Sequence, residues 1–363
     1  MIKYLGSKRR LVPALSTLAA ASCARTALDL FTGTTRVAQA FKQLGLHVTA
    51  VDSAAYAATF ARCYVETDRS NTDAALIADA LMELSLADPV EGYVTRTFAD
   101  QAHFFRRDNA MRIDAARRHI ALHHAGTPLE PILITAVIEA ADRIDSTTGV
   151  QMAFLKSLAP RAFAELTLRS PELHDGTGRA VHGDAVDLVG SLGSFDLAYL
   201  DPPYNQHRYK SNYHVWETLA LGDEPDHFGK VCKRDDLRDA STRSAFDSRR
   251  TMPDALAHCI TRVDAATVVV SMNDESWVTL DDVVAMCGER GAVEVIPFPT
   301  RRYVGAMIGI HNPTGQRVGT VGRLHNVEYL IVAGEIRPEL RAAITSLRHT
   351  SATTTRTAVS ESR

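Results

Sequence analysis

Apolar positions along this chain follow two different periods, and the change between them divides it. "ARTALDLFTG" and "HVTAVDS" carry short apolar runs of strand type, while between them Val37, Ala38, Phe41 and Leu44 recur at helical spacing, which predicts a strand–helix–strand unit. Strand-type runs return only far downstream, in "AVHGDAVDLV", "FDLAYLDPPY", "ATVVVSMND" and "NVEYLIVAG", with helix-compatible sequence between them. Residues 65–180 lack strand alternation and offer helices instead: "DAALIADALMELSL", "NAMRIDAARRHIALHH" and "PILITAVIEAADRID", the last with Pro131 in its first turn. The pattern predicts an α/β protein in which one sheet, built from 1–64 and 181–335, is interrupted by a separate, mostly helical domain over 65–180. Residues 205–250 form a second excursion, polar and too long for an ordinary connection, expected as a loop near the active site. The tail from about 350, "TSATTTRTAVSESR", has no periodicity and is expected to be disordered over 350–363.

Composition narrows the class. With 363 residues and 45% apolar content the chain can bury a sizeable core. Its five cysteines, at 23, 63, 232, 259 and 287, form no CxxC pair, so neither a zinc ribbon nor a disulfide framework is expected, and a reducing cytoplasm fits. "MIKYLGSKRR" holds no apolar signal core, and no run approaches the roughly 18 apolar residues that span a bilayer, so no membrane role is expected. A formal net charge of -3 argues against a polyanionic partner until its distribution is considered. Residues 1–10 hold Lys3, Lys8, Arg9 and Arg10 with no acid, and residues 297–327 hold Arg301, Arg302, Arg317 and Arg323 with none either. These strips are either solvated surface or contacts for phosphates.

Two segments carry chemistry. In Asp29-Leu30-Phe31-Thr32-Gly33-Thr34-Thr35 a strand turns sharply into a helix, and Gly33 allows a ligand close to the backbone. A single glycine is too few for a dinucleotide fingerprint, but a nucleoside without phosphates needs fewer, and Asp52, ending the next strand, can accept hydrogen bonds from ribose hydroxyls. In Asp201-Pro202-Pro203-Tyr204 a carboxylate follows the apolar run FDLAYL, at the carboxyl end of a buried strand, where open α/β sheets place their sites. Methyl transfer to an amine conjugated with an aromatic ring wants this arrangement. The nitrogen lone pair is delocalised, so the site must accept hydrogen bonds from the amino group and hold the nitrogen in line with the methyl donor. Asp201 offers one acceptor, the Pro202 carbonyl a second, and Tyr204 a ring to stack on a flat base.

On these residues the chain resembles the adenine-specific DNA methyltransferases of the Dam-like, alpha-class type. "YLGSK" is similar to that family's aromatic-x-Gly-x-Lys segment, "DLFTG" to its donor loop, Asp52 to its ribose acid and "DPPY" to its catalytic motif, in the order of the alpha class. "FFRRDNAMRIDAARRHI", "SNYHVWETLAL", "SAFDSRR" and "NVEYLIV" extend the resemblance to about residue 335. It implies a Rossmann-like class I S-adenosylmethionine-dependent methyltransferase sheet with an inserted recognition domain. It also implies S-adenosyl-L-methionine as the methyl donor, no metal, and double-stranded DNA as substrate, with a separately encoded restriction endonuclease as a possible partner and the prokaryotic cytoplasm as location. Catalysis falls to Asp201, Pro202, Pro203 and Tyr204. Donor binding falls to Tyr4, Lys8, Asp29, Phe31, Gly33, Thr34, Asp52 and Asp184, with Lys8 beside the donor's carboxylate. Thr34-Thr35 stands where a second glycine is common.

DNA contacts are expected from Arg106, Arg107 and Arg112 in the insertion, from Tyr209 and Tyr213, and from Arg301, Arg302 and Arg317. The insertion as a whole counts 12 Lys plus Arg against 17 Asp plus Glu, but its stretch 96–118 holds six Arg against three acids. Trp216 is expected in the core. His119, His123 and His124 are assigned to a polar helix face, since "HIALHH" lacks the Glu of a zinc-protease helix. The rival activities are methylation of RNA or of a protein amide; the rival without activity is an idle DNA-binding relative. Cytosine-carbon methylation is disfavoured because none of the five cysteines follows a proline.

Overall fold

The computed structural model of the chain describes residues 1–153, 155–205, 208–301 and 325–360. Its strands, in chain order, are β1 (Thr26–Asp29), β2 (His47–Asp52), β3 (Gly178–His182), β4 (Phe195–Leu200), the two-residue β5 (His227–Phe228) and β6 (Lys233–Arg234), β7 (Ala265–Asn273), β8 (Ala292–Arg301) and β9 (His325–Gly334). β5 and β6 pair with each other, and the other strands form one sheet in the order β3–β2–β1–β4–β7–β9–β8. The strands from β3 across to β7 are parallel, whereas β9 is antiparallel to β7 and β8 to β9. β4 coincides with the run FDLAYL. β8 was not predicted, because "AVEVIPFPTR" carries Pro297 and Pro299; it is the last strand of the sheet, paired on one side, where a missing N–H is tolerated.

Helices α1 (Val12–Ala21), α2 (Arg36–Gln43), α3 (Ala55–Ala61), α4 (Ala74–Leu86), α5 (Arg107–His123), α6 (Leu129–Ile144), α7 (Ala185–Leu188), α8 (Tyr209–Asn212), α9 (His214–Leu221), α10 (Met252–Arg262) and α11 (Leu280–Gly288) are joined by a C-terminal helix, Pro338–Ser360. Alternate residues of β4 enter opposite layers, as strand geometry requires. Leu197 and Tyr199 pack with Leu15 of α1, Phe41 of α2 and Ile344 of the C-terminal helix. Ala198 and Leu200 pack with Ala185 of α7, Leu256 of α10 and Val283 of α11.

Three expectations about organisation change. The inserted helices α4, α5 and α6 lie where predicted but own no separate core: Ile77, Ile113 and Val137 share one with Tyr56 and Phe60 of α3 and with Trp216 of α9. The boundary at 65–180 is thus one of sequence and not of packing, and the sheet resumes at Gly178 rather than 181. The excursion 205–250 is not a bare loop, since it contains α8, α9 and the β5–β6 ribbon, and Trp216 is buried as expected. The tail continues the C-terminal helix to Ser360, because no glycine or proline interrupts what Pro338, Leu340 and Ile344 begin; residues 361–363 lie outside the described residues.

Candidate active site

β1 and β4 are neighbours in the sheet, yet the chain continues from β1 to β2 on the far side, so their carboxyl ends meet at a topological switch point. Asp29 pairs opposite Tyr199, which brings Asp201 just past the end of the adjacent strand. All eight residues assigned to the donor line one cleft at this point, together with Asp201 and Pro203. Pro202 and Tyr204, in the same turn, are buried.

On the donor side, Asp29 is 1% exposed. Its Oδ2 accepts from Thr32 Oγ1 at 2.9 Å and from the Ala38 N–H at 3.2 Å, while its buried Oδ1 has no hydrogen-bond partner among the described residues. Burial pushes this carboxyl up to about 7, against the pull of the Thr32 bond. Asp52 accepts from the Gly33 N–H at 2.8 Å and from the Ala54 N–H at 2.9 Å, one bond on each oxygen, so each keeps capacity for a ligand hydroxyl. Gly33 sits at φ 50, and a side-chain carbon there would come 3.1 Å from the Tyr4 hydroxyl, so the close approach requires glycine.

Thr35 also adopts left-handed backbone, at φ 62, a strained choice for a β-branched residue. It is held by its Oγ1, which donates to the Thr34 carbonyl at 2.7 Å and accepts from Gln39 Nε2 at 2.8 Å. The turn that a second glycine would ease is therefore made without one.

The excursion completes the wall. Phe246 meets the Phe31 ring edge-on at 5.0 Å, and Ser244 Oγ donates to Asp184 Oδ2 at 2.9 Å. Arg208, Lys210 and Arg243 also line the cleft. None of these was singled out from sequence, although Ser244 and Phe246 stand in "SAFDSRR", one of the stretches that carried the resemblance.

On the β4 side of the same cleft, Lys8, expected beside the donor, is engaged by two acids of the chain. It is 5% exposed, and its Nζ lies 3.1 Å from Asp201 Oδ1 and 2.9 Å from Glu328 Oε1, so two carboxylates already compete for its charge. Burial pushes Asp201 up to about 6, opposed chiefly by Lys8. Lys8 Nζ also lies 5.2 Å from the centroid of the Tyr204 ring and 3.3 Å from its hydroxyl, so it ties that ring to Asp201. Glu328 was missed because it sits inside the strand "NVEYLIVAG", with no local sign of a site.

The expected DNA residues are scattered. Tyr209 lines the cleft and stacks on Tyr4 at 5.3 Å. Tyr213 stacks on Tyr4 at 4.9 Å, but it is 1% exposed and its hydroxyl accepts from the Leu5 N–H at 2.7 Å, so it braces the N-terminal segment. Arg106 pairs with Asp108, and Arg107 with Glu91 and Asp100, at the start of α5; Arg112 is exposed on the same helix. The side chain of Arg301, and Arg302, Arg317 and Arg323 entirely, lie outside the described residues. In the N-terminal basic strip, Lys3 turns to Asp142 and Asp145 and Lys8 to the active site, which leaves Arg9 and Arg10 exposed. His119 and His124 are not on a purely solvated face: Glu83 of α4 brings its carboxylate 3.4 Å from His119 Nε2, and one ligand atom from each of the three falls within 4.8 Å of the others. These three do not line the cleft.

A family model described as "D12 class N6 adenine-specific DNA methyltransferase" matches residues 4–261, from Tyr4 through DPPY into α10. The chain is 28% identical over 317 residues to the type II methyltransferase M.NlaIII of Neisseria lactamica, an alignment covering 83% of this chain and 92% of that protein. It is 27% identical over 323 residues to the modification methylase StsI of Streptococcus sanguinis, covering 83% and 49% respectively. To the type II methyltransferase M.FokI of Planomicrobium okeanokoites it is 24% identical over 330 residues, covering 83% and 50%. The chain thus spans about half the length of the StsI and FokI enzymes and nearly all of the NlaIII enzyme. With the family match running over well more than half of the chain and across the cleft just described, the chain belongs to the D12 class N6 adenine-specific DNA methyltransferases.

Proposed function

We propose that this chain transfers a methyl group from S-adenosylmethionine to the exocyclic amino nitrogen of adenine at a specific site in double-stranded DNA. The observation that carries the reading is the pairing of β1 with β4, which sets an unpartnered buried carboxylate oxygen, on Asp29, in the same cleft as Asp201. That oxygen suits a ligand ammonium, and Asp52 suits two ribose hydroxyls, so the residues present fit the donor. When bound, S-adenosylmethionine would supply the methyl group from its sulfonium, whose sulfur leaves as a neutral thioether while the methylated nitrogen releases one proton to solvent. The chain's part is orientation and charge. Asp201 accepts a hydrogen bond from the amino group, draws its lone pair out of conjugation and stabilises the positive charge that grows on nitrogen. The Pro202 carbonyl supplies the second acceptor.

A duplex hides its bases, so the target adenine is turned out into the cleft at a cost of about a few kcal/mol of unstacking. The cationic residues Arg208, Lys210 and Arg243 at the cleft suit the flanking phosphates. Sequence recognition is assigned to the insertion, with Arg112 one of the exposed basic residues on α5. The type II and modification-methylase names of the relatives support a role beside a separately encoded endonuclease, in the cytoplasm of a prokaryotic cell. Among the described residues no helix is long and apolar enough to cross a membrane.

The test is mass spectrometry of nucleosides from unmethylated DNA treated with the enzyme and isotope-labelled donor. Label in N6-methyladenosine species is expected. Label confined to methylcytidine species, or absent from DNA and present in RNA, overturns the proposal.

A further inference from the structure

Lys8 is buried among acids that the chain brings together from its two ends. Its Nζ lies 3.1 Å from Asp201 Oδ1 and 2.9 Å from Glu328 Oε1, with side chains 17% and 16% exposed. The fold supplies the second carboxylate: Glu328 pairs opposite Asn273, the last residue of β7, and so reaches the sheet edge where the neighbouring β4 ends in DPPY. One ammonium between two carboxylates makes a cluster of net charge about -1. The sum matters for the reaction. Asp201 paired with Lys8 alone is a neutral ion pair, whose carboxylate is already compensated when the target nitrogen turns positive. A second carboxylate on the far side of Lys8 shares that ammonium and restores a negative charge facing the substrate.

We propose that Glu328 is a positioning residue for methyl transfer: it holds Lys8, fixes Asp201 through the shared ammonium and leaves one net negative charge beside the nitrogen being alkylated. This rests on the methyl-transfer reading of the same cleft. Besides Lys8 and Glu328, the titratable groups that act on Asp201 are Asp29 from β1, Tyr199 from β4, Tyr204 after it and Tyr209 from α8. Burial pushes the three tyrosines up, so they stay protonated across the neutral range and the acids and Lys8 set the charge there.

The test is kcat against pH, at saturating donor on a duplex with one target adenine, for the full-length wild type, Glu328→Gln, Glu328→Asp and Lys8→Met. Glu328→Gln conserves volume and lowers kcat by about 10- to 100-fold, the scale of losing one preorganised electrostatic partner, with donor affinity by calorimetry unchanged. Its acid limb moves to lower pH, because a carboxylate that favours protonation of Asp201 is gone; Lys8→Met moves the limb to higher pH, because the opposing cation is gone. Glu328→Asp recovers part of the lost kcat. A role in folding alone moves neither limb. Glu328→Gln with wild-type kcat and an unmoved limb overturns the inference, as does loss of donor affinity, which would place Glu328 in the donor half. Wild-type enzyme that puts no methyl on adenine overturns the methyl-transfer reading itself.

Discussion

Asp29 and Asp201 end adjacent strands of one sheet and both are held above the ordinary carboxylate range by burial, yet they are buried differently. Asp201 has a resident cation in Lys8 and a further acid behind it. Asp29 has no cation among the described residues: two hydrogen bonds fall on one oxygen and none on the other. A buried carboxylate without a counter-ion costs stability, and a fold keeps one where a ligand completes it. The half of the cleft proposed for the donor is therefore incomplete alone and suited to a positive charge. The transfer half carries its own cation, outnumbered by two carboxylates, and its net negative charge suits a positive charge that exists only during reaction.

The largest test of this division removes the transfer-side acid. Asp201→Ala should lower transfer by at least about 10²- to 10³-fold while the donor still binds, since the contacts proposed for the donor come from β1 and β2. Calorimetry on Asp201→Ala and Asp52→Ala checks it: donor affinity lost in the first and kept in the second would merge the two halves. A smaller effect comes from Asp29→Asn, which can keep both hydrogen bonds on one oxygen and puts an uncharged NH2 where the unpartnered oxygen stood. Donor affinity should fall about 10- to 100-fold, the worth of a hydrogen bond to an ionised group.

The same variant should be more stable without donor, with a sign set by pH. The folded carboxyl, held at about 7, keeps its proton where the unfolded one has lost it, so its stabilising contribution is present at low pH and is lost as pH rises through 7. At pH 8 Asp29→Asn should therefore raise the unfolding midpoint by about 2–4 °C for each kcal/mol relieved, and near pH 4 the two proteins should unfold alike. A variant less stable than wild type at pH 8 would mean that Asp29 is satisfied by a partner of its own.

The donor half was largely legible in the sequence, and the transfer half only in its front. DLFTG and DPPY are local signals: an apolar run makes a strand, a glycine or a proline pair ends it, and the fold places both ends at one switch point. Glu328 lies 320 residues from Lys8, and only the insertion of β9 beside β7 brings them together. β8 was hidden because prolines are read as strand breakers until the strand is known to be an edge. Glu83 was hidden from the histidines for a similar reason, since it belongs to a different helix. The shared core of α3, α9 and the insertion was equally invisible, because periodicity reports which face is apolar and not what covers it.

The smallest expected effect separates the two tyrosines that stack on Tyr4. Tyr209 lines the cleft, whereas Tyr213 is buried with its hydroxyl on the Leu5 N–H, beside the segment that carries Lys8. Tyr213→Phe keeps the ring and loses the bond to the Leu5 N–H. The Leu5 N–H is then left to find water, at a cost of about 0.5–1.5 kcal/mol in stability. Because the ring stack that shapes the cleft persists, DNA affinity, its salt dependence and the methylated sequence should be unchanged, and kcat should move little. Urea unfolding and a salt titration of DNA binding check both halves of the expectation. A flattened salt dependence, or a relaxed recognition site with stability intact, would put the Tyr213 hydroxyl on the DNA and require α8 and α9 to open when the substrate binds.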